Sequence, residues 1–415
     1  MSKTAARNIS RCRACGSTRL EKFLSLGNCP PSNSFIRKEN LGRESSYPLE
    51  TFFCHDCALV QLGVVVPREE MFLDYVYVSS TSRTLSAHLA GLAETIVRRF
   101  GLSDGALAVD IGSNDGALLS GYLKFDVRPL GVEPSNVADI ARSRGIETYN
   151  EFFSETLAKR IHDEKGRAKA ITMTNVFAHI DDWDELLRGV RALLDDDGVF
   201  VIEVPYLVDL LDDMLFDTIY HEHLNYVSVM PLVPLFARYG MKIIDIVRMD
   251  FGPSGPIIRV FTGKDAPGLE ASPSVGSLLA LEKRMKLDTI EPFFAFARRV
   301  EAVKDGLVDT LTTLKKQGKS MVGYGAPAKG NTILNYCGIG PELLDYLTEK
   351  NPRKVGLLSP GVHIPVEDET RITADMPDYA LLLAWNLIKE FMEHSEYIRK
   401  GGRFIVPLPH PHIVE

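Results

Sequence analysis

The 415-residue sequence has no run of about 18 uncharged apolar residues, so no membrane-spanning helix is expected. It lacks an excess of positive charge. Its 47 basic and 55 acidic side chains leave a formal charge of −8, which argues against a nucleic-acid backbone as partner. The opening residues, Met-Ser-Lys-Thr-Ala-Ala-Arg-Asn, lack the apolar core of a secretory signal, and the cytoplasm is the expected location. Cysteine is scarce, with six in the chain, and disulfides are not expected in that compartment. There is no G-x-G-x-x-G fingerprint, no Walker A loop and no His-Glu-x-x-His helix motif. No short-period repeat is visible either. What remains is a globular composition, 45% hydrophobic and 25% charged, in a chain too long for one core.

Four of the six cysteines form two pairs, Cys12-Arg-Ala-Cys15 and Cys54-His-Asp-Cys57. Each pair suits a knuckle turn, and two knuckles make a closed tetrahedral zinc site with no open catalytic position. Redox pairs or unliganded thiols are the alternatives. His55 lies inside the second knuckle, but four cysteines already suffice. Cys29 is expected to be a buried or half-buried loop thiol. The segment Asp74–Ser80 is dense in hydroxyls and reads either as a pocket lining or as an extended segment with one buried face. Thr84 to Phe100 has helical apolar spacing.

Strand and helix patterns alternate from 107 to 250, which implies a parallel sheet. Leu107-Ala-Val-Asp110-Ile-Gly112-Ser113-Asn114-Asp-Gly116 reads as a buried strand turning sharply into a helix. Asp110-x-Gly112-x-x-x-Gly116 resembles motif I of the S-adenosylmethionine (SAM) methyltransferases; the plain alternative is a strand–turn–helix of any α/β protein. The next strand ends in Glu133-Pro134, a carboxylate placed to accept from ribose hydroxyls. Phe152-Phe153 could cover an adenine, and Asn175 and His179 leave the carboxyl end of the fourth strand, Ala170–Asn175. Asp195–Gly198 is expected as a turn before the fifth strand, Val199–Pro205.

Residues 217–228 carry the densest chemistry: Tyr220-His221-Glu222-His223, then Asn225 and Tyr226. On a strand, His221 and His223 would share a face. A metal site is conceivable there, but a proton-transfer set is the more useful reading, with an imidazole that titrates near neutrality. A helix is expected over Leu232–Tyr239, followed by a strand from Lys242 and its antiparallel partner Ile257–Phe261. Residues 263–280 read as a boundary, and 281–316 as one long helical stretch. A second α/β unit opens with Gly323-Tyr-Gly325-Ala-Pro-Ala-Lys329-Gly330-Asn331, whose amides and lysine could hold a diphosphate.

In this order, the motifs resemble the deoxysugar C-methyltransferase family, whose members add methyl to a ring carbon of nucleotide-linked keto-sugars. The resemblance spans Cys12 to Pro409. It implies an α/β fold in three units: a zinc-binding domain (1–75), a Rossmann-like class I SAM methyltransferase domain (76–265) and a second Rossmann-like, nucleotide-sugar-binding domain (266–415). It implies structural zinc on Cys12, Cys15, Cys54 and Cys57. SAM contacts are implied at Asp110, Gly112, Ser113, Asn114, Gly116, Glu133 and Pro134, joined by Phe153 and Asn175 from the reading above. His223 is implied as base, with Tyr220, Glu222, His179 and either Tyr75 or Tyr77 around it. Arg259, Gly325, Lys329, Gly330 and Asn331 would hold the substrate. The loop 252–256 departs from the family's compact Gly-Gly-Ser run before the arginine matching Arg259. The implied reaction is methylation at C3 of a dTDP-linked 4-keto-deoxysugar, by a monomer or weak homo-oligomer without nucleic-acid or membrane partners. The competing readings are an RNA or protein methyltransferase using the cysteine domain for recognition, a sugar O-methyltransferase, and a non-catalytic nucleotide-sugar-binding protein.

Overall fold

The structure is a computed structural model that describes residues 6–73, 77–252 and 255–415. Tyr75 lies outside the described residues. The first unit is a curled antiparallel sheet whose strands Leu20–Cys29, Tyr47–Cys54 and Val60–Leu62 pair in sequence order. Its small core is Phe23, Leu24, Leu26, Leu49, Phe53 and Leu62, all buried. A fourth strand, Asn225–Tyr226, joins this sheet from far along the chain by pairing with Val60–Gln61.

The second unit is a seven-stranded sheet. Its spatial order is Met241–Met249, Ile257–Lys264, Leu194–Pro205, Ala168–Thr174, Ala106–Ile111, Val127–Val132 and Glu147–Tyr149. The first strand in sequence is therefore central, the next two step outward on one side, and the fourth and fifth on the other. Ile257–Lys264 runs opposite to the other six strands. The motif strand sits where the order reverses, and ligands of such sheets bind beyond the carboxyl ends at that point. The central strands are nearly continuous in apolar residues because both faces are covered, by Arg83–Phe100 on one side and Trp183–Leu193 on the other. Ser82 caps the first of these helices by accepting from the Leu85 amide.

The third unit holds a six-stranded sheet in the order Val366–Asp368, Leu347–Glu349, Met321–Tyr324, Tyr379–Leu382, Phe404–Val406, His412–Val414. Its first five strands are parallel and the last is antiparallel, so its first strand is also central. The Gly325 loop thus leaves a reversal point of its own.

Three expectations change. Asp195–Gly198 is not a free turn but a bulge within one strand, Leu194–Pro205, where pairing slips between Leu194 and Val199. The stretch 281–316 is two helices, Pro273–Arg284 and Glu291–Lys316, because Pro292 fits only a first helical turn. Residues 220–222 form a turn, with the His223 amide donating to the Tyr220 carbonyl at 2.9 Å, so the strand face that His221 and His223 could have shared for a metal does not arise.

The helix Pro273–Arg284 packs on the methyltransferase sheet through a buried acid. Glu282 accepts from the Val229 amide (2.6 Å), the Met230 amide (2.9 Å) and the Tyr206 hydroxyl (2.8 Å). It thereby satisfies the start of the helix Val229–Arg238. Glu282→Ala would orphan two buried donors and a half-buried third and should cost about 2–4 kcal/mol in chemical denaturation; a loss near zero would contradict this role.

Candidate functional site: one cavity between three units

The two knuckles meet. The Sγ atoms of Cys12 and Cys57 are 3.5 Å apart, those of Cys15 and Cys54 are 3.6 Å apart, and all four lie within 4.8 Å of one another. A zinc tetrahedron with Zn–S of about 2.3 Å has edges of about 3.8 Å, so the thiol set fits the ion. His55 faces Glu21 at 2.8 Å instead. Cys29 is buried at the end of its strand, and burial pushes its thiol up to about 12.

At the tip of the motif strand the backbone doubles back. Gly112 has φ +70° and Gly116 φ +76°, and a Cβ on Gly112 would meet Val176 at 2.5 Å. Glu133 Oε2 accepts from the Asn114 amide (2.9 Å), and Oε1 accepts from the Ser135 amide (3.0 Å). The carboxylate keeps lone pairs for further donors. Gly112, Asn114, Glu133, Pro134, Phe153 and Asn175 all line one cavity of about 850 Å³, and Phe152 does so too. A carboxylate for hydroxyls, two aromatic faces and a glycine turn fit SAM. Asp110 and Ser113 are buried beneath the turn rather than in the cavity wall. Asp110 accepts from Thr172 at 2.6 Å, and burial pushes its carboxyl up to about 7. Gly116 starts the next helix.

Tyr220, Glu222, His223, His179 and Tyr77 line the same cavity. His223 Nδ1 lies 2.7 Å from the Thr218 carbonyl. A carbonyl only accepts, so Nδ1 carries the proton and Nε2 keeps its lone pair. The His223 ring stacks on His179 (centroids 5.2 Å apart) and meets the Tyr220 ring at 4.1 Å. Phe72 covers the other face of His179 at 5.5 Å. Burial lowers His223 to about 4 and His179 well below its ordinary value, so both are neutral at pH 7. Glu222 accepts from Asn33 at 2.6 Å, while His221 turns away and packs edge-on against Tyr47.

The third side of the cavity comes from Gly325 and Lys329. Gly325 has φ +84° and its amide donates to Thr348. Lys329 is buried, bonded to Asn386 and 5.4 Å from the Trp385 ring. Three residues expected at the substrate do not reach the cavity wall. Gly330 lies against Leu383, Asn331 donates to the Ser32 carbonyl at 2.8 Å, and Arg259 is committed to buried Glu203 at 2.6 Å. Glu203 also takes both its oxygens to His88 (2.9 and 3.1 Å), since a fully buried carboxylate requires such partners.

Comparison with known proteins follows the same three units. Family models match residues 12–72 as a zinc-binding domain, 85–246 as a methyltransferase domain and 254–409 as a C-methyltransferase C-terminal domain. The C-methyltransferase NovU of Streptomyces niveus is 36% identical over 411 residues, covering 98% of this chain and 97% of NovU. The chain belongs to the C-methyltransferase family. Two solved methyltransferases align with less than half of the chain. A SAM-dependent enzyme from Clostridium acetobutylicum is 13% identical over 44% of this chain and 92% of its own, with a TM-score of 0.35. CcbJ from Streptomyces caelestis is 12% identical over 42% and 89%, with a TM-score of 0.32.

This C-methyltransferase is thus SAM-dependent and carries a zinc-binding domain with a four-cysteine site. No helix among the described residues is long and apolar enough to cross a membrane.

The sequence reading missed Asn33, Phe72, Thr348, Glu349 and Lys354, all in the cavity wall. Lys354 is bonded to the Ala326 carbonyl at 2.9 Å and lies 3.5 Å from Glu349. Tyr346-Leu-Thr-Glu349, a short apolar run ending in an acid, was the available signal for a second strand tip. Asn33, in a proline loop, gave none.

With His223 as the base that the sequence implies, its burial would set the acid limb of the pH profile. Between about pH 7 and 5, His223 stays neutral, and kcat/KM should hold, falling with an apparent pKa near 4. An acid limb near 6.5 would contradict burial as the controlling effect. The same shift has the opposite reading for folding: the unfolded chain protonates first, so stability falls as pH drops from about 6.5 towards 4.

Proposed function

We propose that the chain transfers methyl from SAM to C3 of a nucleotide-linked 4-keto-deoxysugar, with dTDP as the nucleotide. The observation that carries this reading is the tautomer of His223. Its Nδ1–H is held by the Thr218 carbonyl, and its Nε2 lone pair is available in a cavity shared by the SAM turn and the Lys329 loop.

A sugar carbon becomes nucleophilic only when a neighbouring ketone acidifies its C–H. His223 Nε2 takes the C3 proton, and the C–H electron pair moves into an enolate with its charge on the 4-oxygen. Tyr220, His179 and Tyr77 surround that charge with donors. An imidazole near 4 is a weak base in the empty site; the negative charge forming beside it raises its affinity for the proton. SAM supplies an electrophilic methyl group on a sulfonium that leaves as a neutral thioether. Glu222, held by Asn33, fixes the turn that carries His223 rather than polarising the ring. Lys329, with the amides near Gly325, supports the diphosphate, and Lys354 adds a second cation to the same wall. Gly330, against Leu383, and Asn331, bonded to the Ser32 carbonyl, support that wall from behind, while Arg259 is held by Glu203 in the methyltransferase sheet. Glu349, at the tip of the second strand of its sheet, stands where such folds contact a pentose hydroxyl.

The formal charge of −8 does not favour the RNA reading. His223→Asn should lower kcat by about 10²–10⁴-fold while SAM affinity by calorimetry stays within about twofold. Full turnover in this variant would remove His223 as the base.

A further inference from the structure

The zinc knuckle reaches the reaction cavity through one arginine. Arg13 lies between Cys12 and Cys15, and its side chain is only 3% exposed. Its Nε donates to Asp181 Oδ1 at 2.8 Å, and Nη1 donates to the carbonyl of Leu62 (2.8 Å) and to Gln61 Oε1 (3.2 Å), with the Leu224 carbonyl at 3.5 Å. Asp181 follows His179 by two residues and Leu224 follows His223 by one. Both Asp181 and Leu224 line the cavity.

Besides the His179–His223 ring contact, Asn225 adds a hydrogen-bonded tie between the two histidine loops. Asn225 donates to the Ile180 carbonyl at 2.9 Å and lies 3.4 Å from the Ala178 carbonyl. Leu62 and Asn225 are in turn locked into the zinc unit's sheet, where the Leu62 amide donates to the Leu224 carbonyl at 2.9 Å. Arg13 is therefore the planar fork that binds the knuckle, the sheet edge and the loop after His179 at one point. A fork of fixed geometry suits this task; a lysine ammonium does not reproduce it.

We propose that Arg13 is a positioning residue for methyl transfer. Acting through Asp181 and the Leu224 carbonyl, it sets the spacing between His179 and His223, and so makes the zinc unit part of the catalytic geometry. The inference rests on His223 being the base. The zinc ion's role is then to hold the arginine's backbone, with no chemistry of its own.

Arg13→Gln, Arg13→Lys and Asp181→Asn test it, with kcat and KM measured on an accepted dTDP-linked 4-keto-deoxysugar. Zinc content and SAM affinity are measured on the same proteins. Displacing the base by about 1 Å costs about 10²-fold. The expected result is one zinc per chain, SAM affinity within about twofold, KM little changed and kcat lowered by about 10–10²-fold, without rescue by Arg13→Lys. Because Arg13 and Asp181 act as one unit, the double variant Arg13→Gln/Asp181→Asn should be no slower than the slower single. Should the knuckle variants lose zinc, Asp181→Asn decides, since it lies outside the knuckle. A kcat within about twofold of the parent in zinc-loaded Asp181→Asn overturns the proposal. That result leaves the base assignment untouched, which fails only if His223→Asn turns over.

Discussion

A single two-residue strand constrains this molecule more than any other element. Asn225–Tyr226 leaves the turn that carries His223 and completes the sheet of the cysteine-rich unit rather than that of the methyltransferase unit. Its pairing with Val60–Gln61 fixes where the first unit must sit. The unit then packs Phe23 and Phe53 on Phe293 of the long helix Glu291–Lys316, each pair at 5.2 Å. Asn331 and the Ser32 carbonyl close the remaining side. A four-thiolate ion site keeps a sheet too small for a stable core of its own in register.

The cavity follows from this arrangement. Two mostly parallel sheets each place a glycine turn at the tip of a central strand, and the turn that carries His223 lines the same cavity. Burial does the electrostatic work. It keeps His223 and His179 neutral without a carboxylate partner, and a carbonyl rather than an acid selects the tautomer. Some buried charges are met by an opposite charge, Glu203 by Arg259, Lys354 by Glu349 and Arg13 by Asp181, and others by neutral donors, as Glu282 is.

Local features were legible in the sequence. The cysteine pairs and the Asp110–Gly116 turn each carry their chemistry within a few residues, and the alternating pattern implied both α/β units. Partnerships across long separations were not legible. Arg259 read as a substrate contact because nothing in the sequence shows that Glu203 occupies it. Asn331 read as a phosphate ligand because its partner, the Ser32 carbonyl, lies at the other end of the chain. A strand face shared by His221 and His223 was conceivable because alternation looks the same in a tight turn; the backbone bond from His223 to Tyr220 shows the turn. The break between the helices Pro273–Arg284 and Glu291–Lys316 was signalled by Pro292, which the apolar spacing of the flanking residues masked.

The central claim is that carbon, made nucleophilic by a neighbouring ketone, receives the methyl group. The direct test incubates the protein with methyl-¹³C-labelled SAM and dTDP-linked 4-keto-deoxysugars, and reads the product by NMR. The account predicts a labelled methyl bonded to C3, with solvent deuterium entering C3 of unreacted substrate only when His223 is intact. A labelled methyl on oxygen, or methyl transfer to a sugar without the ketone, would contradict it.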